Sequence, residues 1–183
     1  STIIASSIVL SSYEFGPAAF GTVNCTGSTG DIASCSRGTC HSPNTANTTV
    51  EIKLIDSLGN TITQYHPGST YKVKVIGSNS ALLPGYGVQV SCVNSREKQI
   101  GIFSLGPTPN DSIHITYVIH PLQIIEHSRP LIPSVAGSYV TPDFFWTAPT
   151  SDSGNATFYV MLNAVNRDNN YTGDQPNSGT PLV

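Results

Sequence analysis

Alternation of apolar and polar residues is the dominant pattern along this chain. In residues 50–54 the order is V-E-I-K-L, so that apolar and charged side chains take turns. The same alternation recurs in four further runs, at residues 71–75, 88–92, 113–119 and 158–164. Because successive side chains of a strand point to opposite faces, each run predicts a strand with one buried face. Nowhere does the sequence show a helical period.

Turn-forming residues separate these runs. They lie at Leu58-Gly59-Asn60, His66-Pro67-Gly68, Pro84-Gly85, Gly106-Pro107 and Asp152-Ser153-Gly154. Short strands at this spacing are typical of an Ig-like sandwich. The sequence therefore predicts an all-β protein with a single Ig-like antiparallel β-sandwich over residues 50–183.

The first 49 residues differ from the rest in composition. Residues 13–49 are rich in Ser, Thr and Gly and hold three of the four cysteines, which predicts an irregular segment laid over the sandwich. Residues 1–12 contain the apolar Ile3, Ile4, Ile8, Val9 and Leu10. They predict an extra strand, which either closes this chain's own sheet or is donated to a neighbouring copy and builds a polymer.

Composition narrows the class of protein. Charged residues make up 10% of the 183 residues, and eight scattered Lys and Arg do not form the basic stripe of a nucleic-acid binder. No apolar run reaches the roughly 18 residues that span a bilayer, and a chain that starts at Ser1 suggests a removed signal peptide. We expect a secreted, extracellular or cell-surface protein.

Glycosylation sequons fit such a location. Five N-x-S/T sequons occur, at Asn24, Asn47, Asn110, Asn155 and Asn170. Because Ser and Thr are frequent in this chain, chance alone would place some Asn residues in sequons. The sequons are therefore consistent with an exterior glycoprotein without establishing one.

The segment Cys35-Ser36-Arg37-Gly38-Thr39-Cys40-His41 carries the sharpest chemical signal. Two cysteines followed at once by a histidine are the pattern of haem c, in which both thiols form thioethers and the His ligates iron. The usual spacing has two intervening residues and this one has four. The alternatives are a disulfide involving these cysteines or a zinc site. Cys25 and Cys92 remain as a candidate disulfide.

A second iron ligand would come from the other histidines. His114 and His120 fall on the face opposite the apolar residues of their strand, and His66 lies in a Pro-Gly turn. His127 ends an apolar run, which makes it the predicted distal ligand. A copper or zinc site built from His114, His120 and His127 is a third interpretation.

An enzyme is not indicated. The chain shows no paired carboxylates, nucleophile motif or glycine-rich phosphate loop. Glu126, beside His127, is most simply a surface charge, although it could orient the imidazole.

From Tyr65 onward the chain resembles the Reeler-related bacterial extracellular domains known as choice-of-anchor V. The matching segments are Tyr65-His66-Pro67-Gly68, Pro84-Gly85-Tyr86-Gly87-Val88-Gln89-Val90, Ile100-Gly101-Ile102-Phe103, Glu126-His127-Ser128, Trp146-Thr147-Ala148-Pro149, Phe158-Tyr159 and Thr172-Gly173-Asp174-Gln175. Ahead of the first strand the family carries a C-x-x-C-H-S segment, which follows a Gly-Pro pair and a stretch rich in Thr and Gly. This chain has Cys40-His41-Ser42, Gly16-Pro17 and Thr29-Gly30 in the same places. The resemblance covers roughly residues 13 to 175.

The resemblance implies a haem-c-like site with His127 as the second ligand. The wider Cys35 to Cys40 spacing and the additional Cys25 and Cys92 depart from the family pattern. Eukaryotic Reeler domains lack the haem motif, and the resemblance to them favours an adhesive function instead.

Two functions follow from the sequence. The first is an extracellular monohaem c-type cytochrome with one covalent haem c and ligands His41 and His127. It would carry electrons to and from other redox proteins or along a filament of its own copies. The alternative is a haem-free structural or adhesive subunit, of a cell surface or a filament, that is cross-linked by disulfides.

Overall fold

Two antiparallel β-sheets form the described part of the chain. The structure is a computed structural model that describes residues 15–21, 23–29, 43–107, 111–118 and 122–183. The sheets pack face to face as a β-sandwich, which confirms the all-β prediction.

The first sheet contains six strands. They are β1 (Thr48–Ile55), β2 (Thr61–Ile62), β3 (Thr70–Asn79), β5 (Ile102–Leu105), β8 (Ser138–Val140) and β9 (Phe144–Thr147). Their order across the sheet is β2-β1-β3-β9-β5, and β8 also pairs with β3. The register of β1 against β3 runs from Thr48 opposite Asn79 to Ile55 opposite Lys72.

The second sheet contains five strands and carries the features that matter below. They are β4 (Gly85–Val93), β6 (Ile113–Val118), β7 (Leu122–His127), β10 (Thr157–Val165) and β11 (Gln175–Asn177). Their order is β11-β10-β4-β7-β6. On β4, Val88, Val90 and Cys92 face the first sheet and join the main core. We call the opposite face, which carries Gln89, Ser91 and Glu126, the outer face.

Trp146 is the central side chain of the main core. It is fully buried, its Nε1 donates to the Ile100 carbonyl at 2.9 Å, and its ring contacts Tyr65 and Phe158 edge-on. A buried indole needs such a partner because an unsatisfied N–H in an apolar core is costly.

Strands β4 and β7 of the second sheet are buried on both faces. All nine residues of β4 are buried, whereas β3 alternates between buried and partly exposed residues as the sequence predicts. The difference arises because residues 15–21 and 23–29, which we call the N-terminal segment, lie on the outer face. Its helix α1 (Pro17–Gly21) brings Ala18 into a small second core. The other members of this core are Val93, Val118, Leu122 and Ile124, with Tyr159 packed against them.

The helix α1 is a departure from the sequence analysis, which found no helical period. It has five residues, too few for a hydrophobic period to be visible. Over the described residues, no helix is long and apolar enough to cross a membrane.

Cys25 and Cys92 are not joined, in contrast to the candidate disulfide of the sequence analysis. Cys92 is a buried free thiol in the main core, and burial raises its pKa well above the usual value. Cys25 lies over the outer face, where its backbone N–H donates to Gln89 Oε1 at 2.7 Å. Because adjacent residues of a strand face opposite sides, β4 itself separates the two cysteines.

The close approach of Gly101 to Trp146 gives a stability prediction. Gly101 has φ +67° and a Cβ there would lie 2.2 Å from Trp146 Nε1, whereas Gly59 has φ +88° and open space around it. Both substitutions to alanine cost about 1–2 kcal/mol in backbone strain. Gly101→Ala must also displace the indole, so its Tm should fall at least about 2 °C further than that of Gly59→Ala. Equal losses in thermal unfolding would contradict this packing.

Two buried tyrosines predict a loss of stability in alkali. Tyr86 donates to the Val140 carbonyl and Tyr139 to the Leu83 carbonyl, with ring centroids 4.8 Å apart. Burial raises the pKa of Tyr86 to about 12 and that of Tyr139 to about 12. In the unfolded chain both ionise near pH 10, roughly two units earlier. The free energy of unfolding is therefore retained below pH 10 and falls as the pH rises towards 12.

The measurement is a series of urea unfolding curves between pH 9 and pH 12. Tyr86→Phe should make the fall less steep, and Tyr171→Phe, at an exposed position, serves as the matched control. An unchanged slope in Tyr86→Phe would show that this phenol does not contribute.

Candidate functional site

His127 lies at the end of β7, where its side chain takes the place of the next backbone hydrogen bonds between β4 and β7. The ladder pairs Val90 with Ile125 and Gln89 with Glu126, and there it stops. At the next position the N–H of Val88 donates to His127 Nδ1 at 3.1 Å, and the Val88 carbonyl oxygen lies 3.1 Å from the same nitrogen. Whichever tautomer the imidazole adopts, Nδ1 is held by the backbone of Val88.

Gly87 provides the space for this ring. A Cβ at Gly87 would lie 2.8 Å from His127 Cε1 and 3.0 Å from Nε2. Side chains two residues apart on a strand point to the same face, so a side chain at Gly87 would point to the outer face, as that of Gln89 does. The imidazole therefore covers Gly87 on the outer face. The ring is half-buried in this position.

The other described histidines lie elsewhere. His114 is on β6 and points to the outer face, where its Nε2 lies 3.1 Å from Glu126 Oε1 with 30% of the side chain exposed. His66 is exposed in its Pro-Gly turn. In the ranges that the structure describes, no three His, Cys, Asp or Glu side chains converge on a point that could hold a metal ion.

Glu126 corrects the sequence analysis, which interpreted it as a surface charge. It is 0% exposed and its carboxylate accepts four hydrogen bonds. The donors are the Ala18 N–H at 2.9 Å, the Ala19 N–H at 2.7 Å, Gln89 Nε2 at 2.9 Å and His114 Nε2 at 3.1 Å. The first two belong to the first turn of α1, whose N–H groups have no partner within the helix.

The sequence did contain a signal for this burial. In the segment L-Q-I-I-E-H of β7, the adjacent Ile124 and Ile125 place apolar side chains on both faces of the strand. That pattern is typical of a strand that is covered on both sides. A carboxylate on such a strand has to be buried and hydrogen-bonded.

Gln89 extends the network from Glu126 to the next part of the N-terminal segment. Its Oε1 accepts from the Cys25 N–H, and its Nε2 donates to the Val23 carbonyl at 3.1 Å as well as to Glu126. At Thr26, the residue after Cys25, the side-chain hydroxyl group lies 2.7 Å from that of Ser91 on β4. Side chains of β7 and β4 thus hold the N-terminal segment at Ala18, Ala19, Val23, Cys25 and Thr26.

Several predicted positions lie outside the described residues. They are residues 1–12, Cys35, Cys40, His41, Asn110 and His120. The two ends of the segment that contains the cysteines and His41 are nevertheless attached to the second sheet. One end is held at Ser91, and at the other the Thr45 N–H donates to the Pro176 carbonyl at 3.0 Å.

Pro176, which accepts the hydrogen bond from Thr45, lies in the same line of cross-strand partners as Gly87. Pro176 pairs with Asn163, and Asn163 pairs with Gly87. Two strand spacings separate the ends of this row, about 10 Å in all. The described chain therefore returns to the sheet about 10 Å from the residue that the His127 ring covers.

The described sequons differ in accessibility. Asn47, Asn155 and Asn170 are exposed. Asn24 is half-buried, and its Nδ2 donates to the hydroxyl groups of Ser28 and Thr29 at 3.1 and 3.2 Å. A glycan on Asn24 would replace one of the two Nδ2 hydrogens and would therefore break at least one of these bonds.

Comparison with known proteins gives structural similarities only. No protein-family model and no curated protein matches the chain. The Reelin-N domain of F-spondin is 14% identical over 80% of this chain and 94% of that one, with a TM-score of 0.44. The human F-spondin reeler domain is 12% identical over 75% and 91%, with a TM-score of 0.41. BslA, a bacterial hydrophobin, is 11% identical over 74% and 98%, with a TM-score of 0.29.

Proposed function

We propose that the chain is an extracellular monohaem c-type cytochrome. Cys35 and Cys40 would attach one haem c, and His41 and His127 would hold its iron. The observation that carries the proposal is the state of His127, whose Nδ1 is held by the backbone of Val88 at 3.1 Å.

The geometry of His127 suits a metal ligand. A ligating histidine almost always donates its other ring N–H to a carbonyl or carboxylate, which fixes the tautomer and the ring orientation. The Val88 carbonyl is such an acceptor for Nδ1, which makes Nε2 the nitrogen for iron. The ring has little freedom to rotate because it also lies against Gly87.

The attachment of the chain on either side of Cys35, Cys40 and His41 supports their part in the proposed site. Residues 30–42 contain both cysteines and His41, and the chain on either side of them is hydrogen-bonded to the second sheet, to which His127 also belongs.

The protein's own residues would control the chemistry. The haem supplies a one-electron couple when it is bound. Two histidine ligands, His41 and His127, would occupy the iron from both sides of the haem, which would favour outer-sphere electron transfer over oxygen binding. Burial and the hydrogen bond at His127 Nδ1 are the means by which the chain tunes the potential.

The experiment is intact mass and visible absorption of the protein from a host that attaches c-type haem. We expect the mass of one haem and sharp low-spin bands on reduction. His127→Ala should keep the haem mass but lose the low-spin spectrum, because only the distal ligand is removed. His66→Ala, at an exposed turn, is the matched control. A colourless wild-type protein would refute the cytochrome and favour the haem-free structural or adhesive subunit.

For partners, we propose that copies of this chain assemble through residues 1–12. Within the described residues, β6 is the last strand at one side of the second sheet and so offers an edge at which another strand can pair. The apolar residues of that N-terminal stretch suit strand addition. Subunits joined in this way would bring successive haems into a regular series.

Deletion of residues 1–12 tests the assembly separately from the haem. We expect filaments in electron micrographs of the full chain and none after the deletion, while the visible spectrum stays the same. If filaments persist without these residues, strand donation is wrong.

A further inference from the structure

We infer that Asn155 carries an N-linked glycan whose first sugar occupies a cleft beside it. The inference does not depend on the proposed haem. Two observations meet at this one residue. Asn155 begins the sequon Asn155-Ala156-Thr157, and its exposed side chain forms part of the wall of the cleft. The occupant is therefore a saccharide that is bound covalently to the wall of its own binding site.

The cleft lies between the connection from β2 to β3 and the connection from β9 to β10. Its volume is about 530 Å³, which is in the range of clefts that hold small ligands. Leu54 and Phe158 of the main core line it, together with Ile62 and Leu182, which pack against that core. Covering this apolar lining would remove it from water and so stabilise the fold.

The remaining wall of the cleft is polar but offers no positive side chain of Lys or Arg among the described residues. Thr63, Gln64 and His66 are exposed there. In the described part of the chain, no hydrogen bond joins the side chain of Thr63 or Gln64 to another residue, so both keep donors and acceptors for a ligand. A sugar has C–H groups for the apolar lining and hydroxyl groups for the polar wall. An uncharged saccharide fits this mixture better than an acyl chain or an anion.

The backbone fixes the position of Asn155 relative to the cleft. Gly154, the residue before it, donates its N–H to Asp152 Oδ1 at 3.0 Å, and its carbonyl accepts the Tyr65 hydroxyl at 2.7 Å. Ala156, the residue after it, is buried. Asn155 is thus held between two anchored residues, and a sugar on its Nδ2 starts at the cleft.

The other described sequons lack this combination. A glycan on Asn24 would break a hydrogen bond of its amide. Asn47 and Asn170 are exposed but do not line the cleft. Within the described residues, no hydrogen bond joins the Asn155 side chain to the protein, so a sugar can replace one Nδ2 hydrogen there without that loss.

Attachment is a group transfer that a separate glycosyltransferase would carry out. Its donor would be a saccharide linked through phosphate to a lipid. The bond between the sugar C1 and the phosphate oxygen breaks, and a bond between C1 and Asn155 Nδ2 forms. The amide loses one proton, and the lipid phosphate is the leaving group.

The first test is a glycopeptide mass map of the full chain purified from its natural source. We expect the peptide that contains Asn155 to carry the additional mass of a saccharide. An unmodified Asn155 in that map would overturn the inference.

The second test asks whether the first sugar occupies the cleft. The full chain is secreted from yeast, trimmed with endoglycosidase H to one N-acetylglucosamine at each site, and compared with the same chain from a host that attaches no sugar. The Tm of the trimmed wild type should be higher by about 2 °C or more. Asn155→Gln should abolish this gain. Asn170→Gln, at an exposed sequon away from the cleft, is the matched control and should retain it.

Gln64→Ala tests the cleft itself. The Gln64 side chain is exposed, so its truncation should leave the Tm of the sugar-free chain unchanged and reduce the gain of the trimmed protein. A gain that depends on Asn155 and falls in Gln64→Ala supports the inference. A gain that persists in Asn155→Gln, or that Gln64→Ala leaves intact, would show that the sugar does not occupy this cleft.

Discussion

Burial of the Glu126 carboxylate is the constraint on which the outer face of the second sheet depends. A fully buried charge has to be matched by donors, and here they come from α1, from Gln89 on β4 and from His114 on β6. These contacts hold the N-terminal segment against the sheet. If the segment were absent, the carboxylate and the apolar side chains around Ala18 would face water.

This cover changes the character of the sandwich. In an antiparallel sheet with one solvated face, polar residues alternate with apolar ones, as they do on β3. In β4 and β7 the outer face is buried too, so it carries a hydrogen-bonded polar network beside a small apolar core. His127 stands at the end of this covered surface, anchored to Val88 and packed on Gly87. A rigid, half-buried imidazole at that position is what the proposed cytochrome requires.

Local sequence patterns predict the structure correctly where neighbouring residues along the chain decide the outcome. Alternation located β1, β3, β4, β6 and β10, and it placed His114 on the face opposite Ile113. It failed where a second layer changes the environment of a residue. Alternation does not reveal the burial of Glu126, because it indicates which face a side chain occupies and not what covers that face. The candidate pairing of Cys25 with Cys92 failed for the same reason, since the segment that carries Cys25 covers the side of β4 away from Cys92.

The sequence by itself determined the β-sandwich, the faces of its strands and the candidate haem residues Cys35, Cys40, His41 and His127. These depend on the alternation of side chains along a strand and on the spacing of a short motif, both of which are local. Only the tertiary structure decided that α1 caps Glu126, that Gln89 bonds to Val23 and Cys25, and that Val88 holds the His127 ring. Such contacts join residues far apart in the chain, and their partners are chosen by the packing of layers.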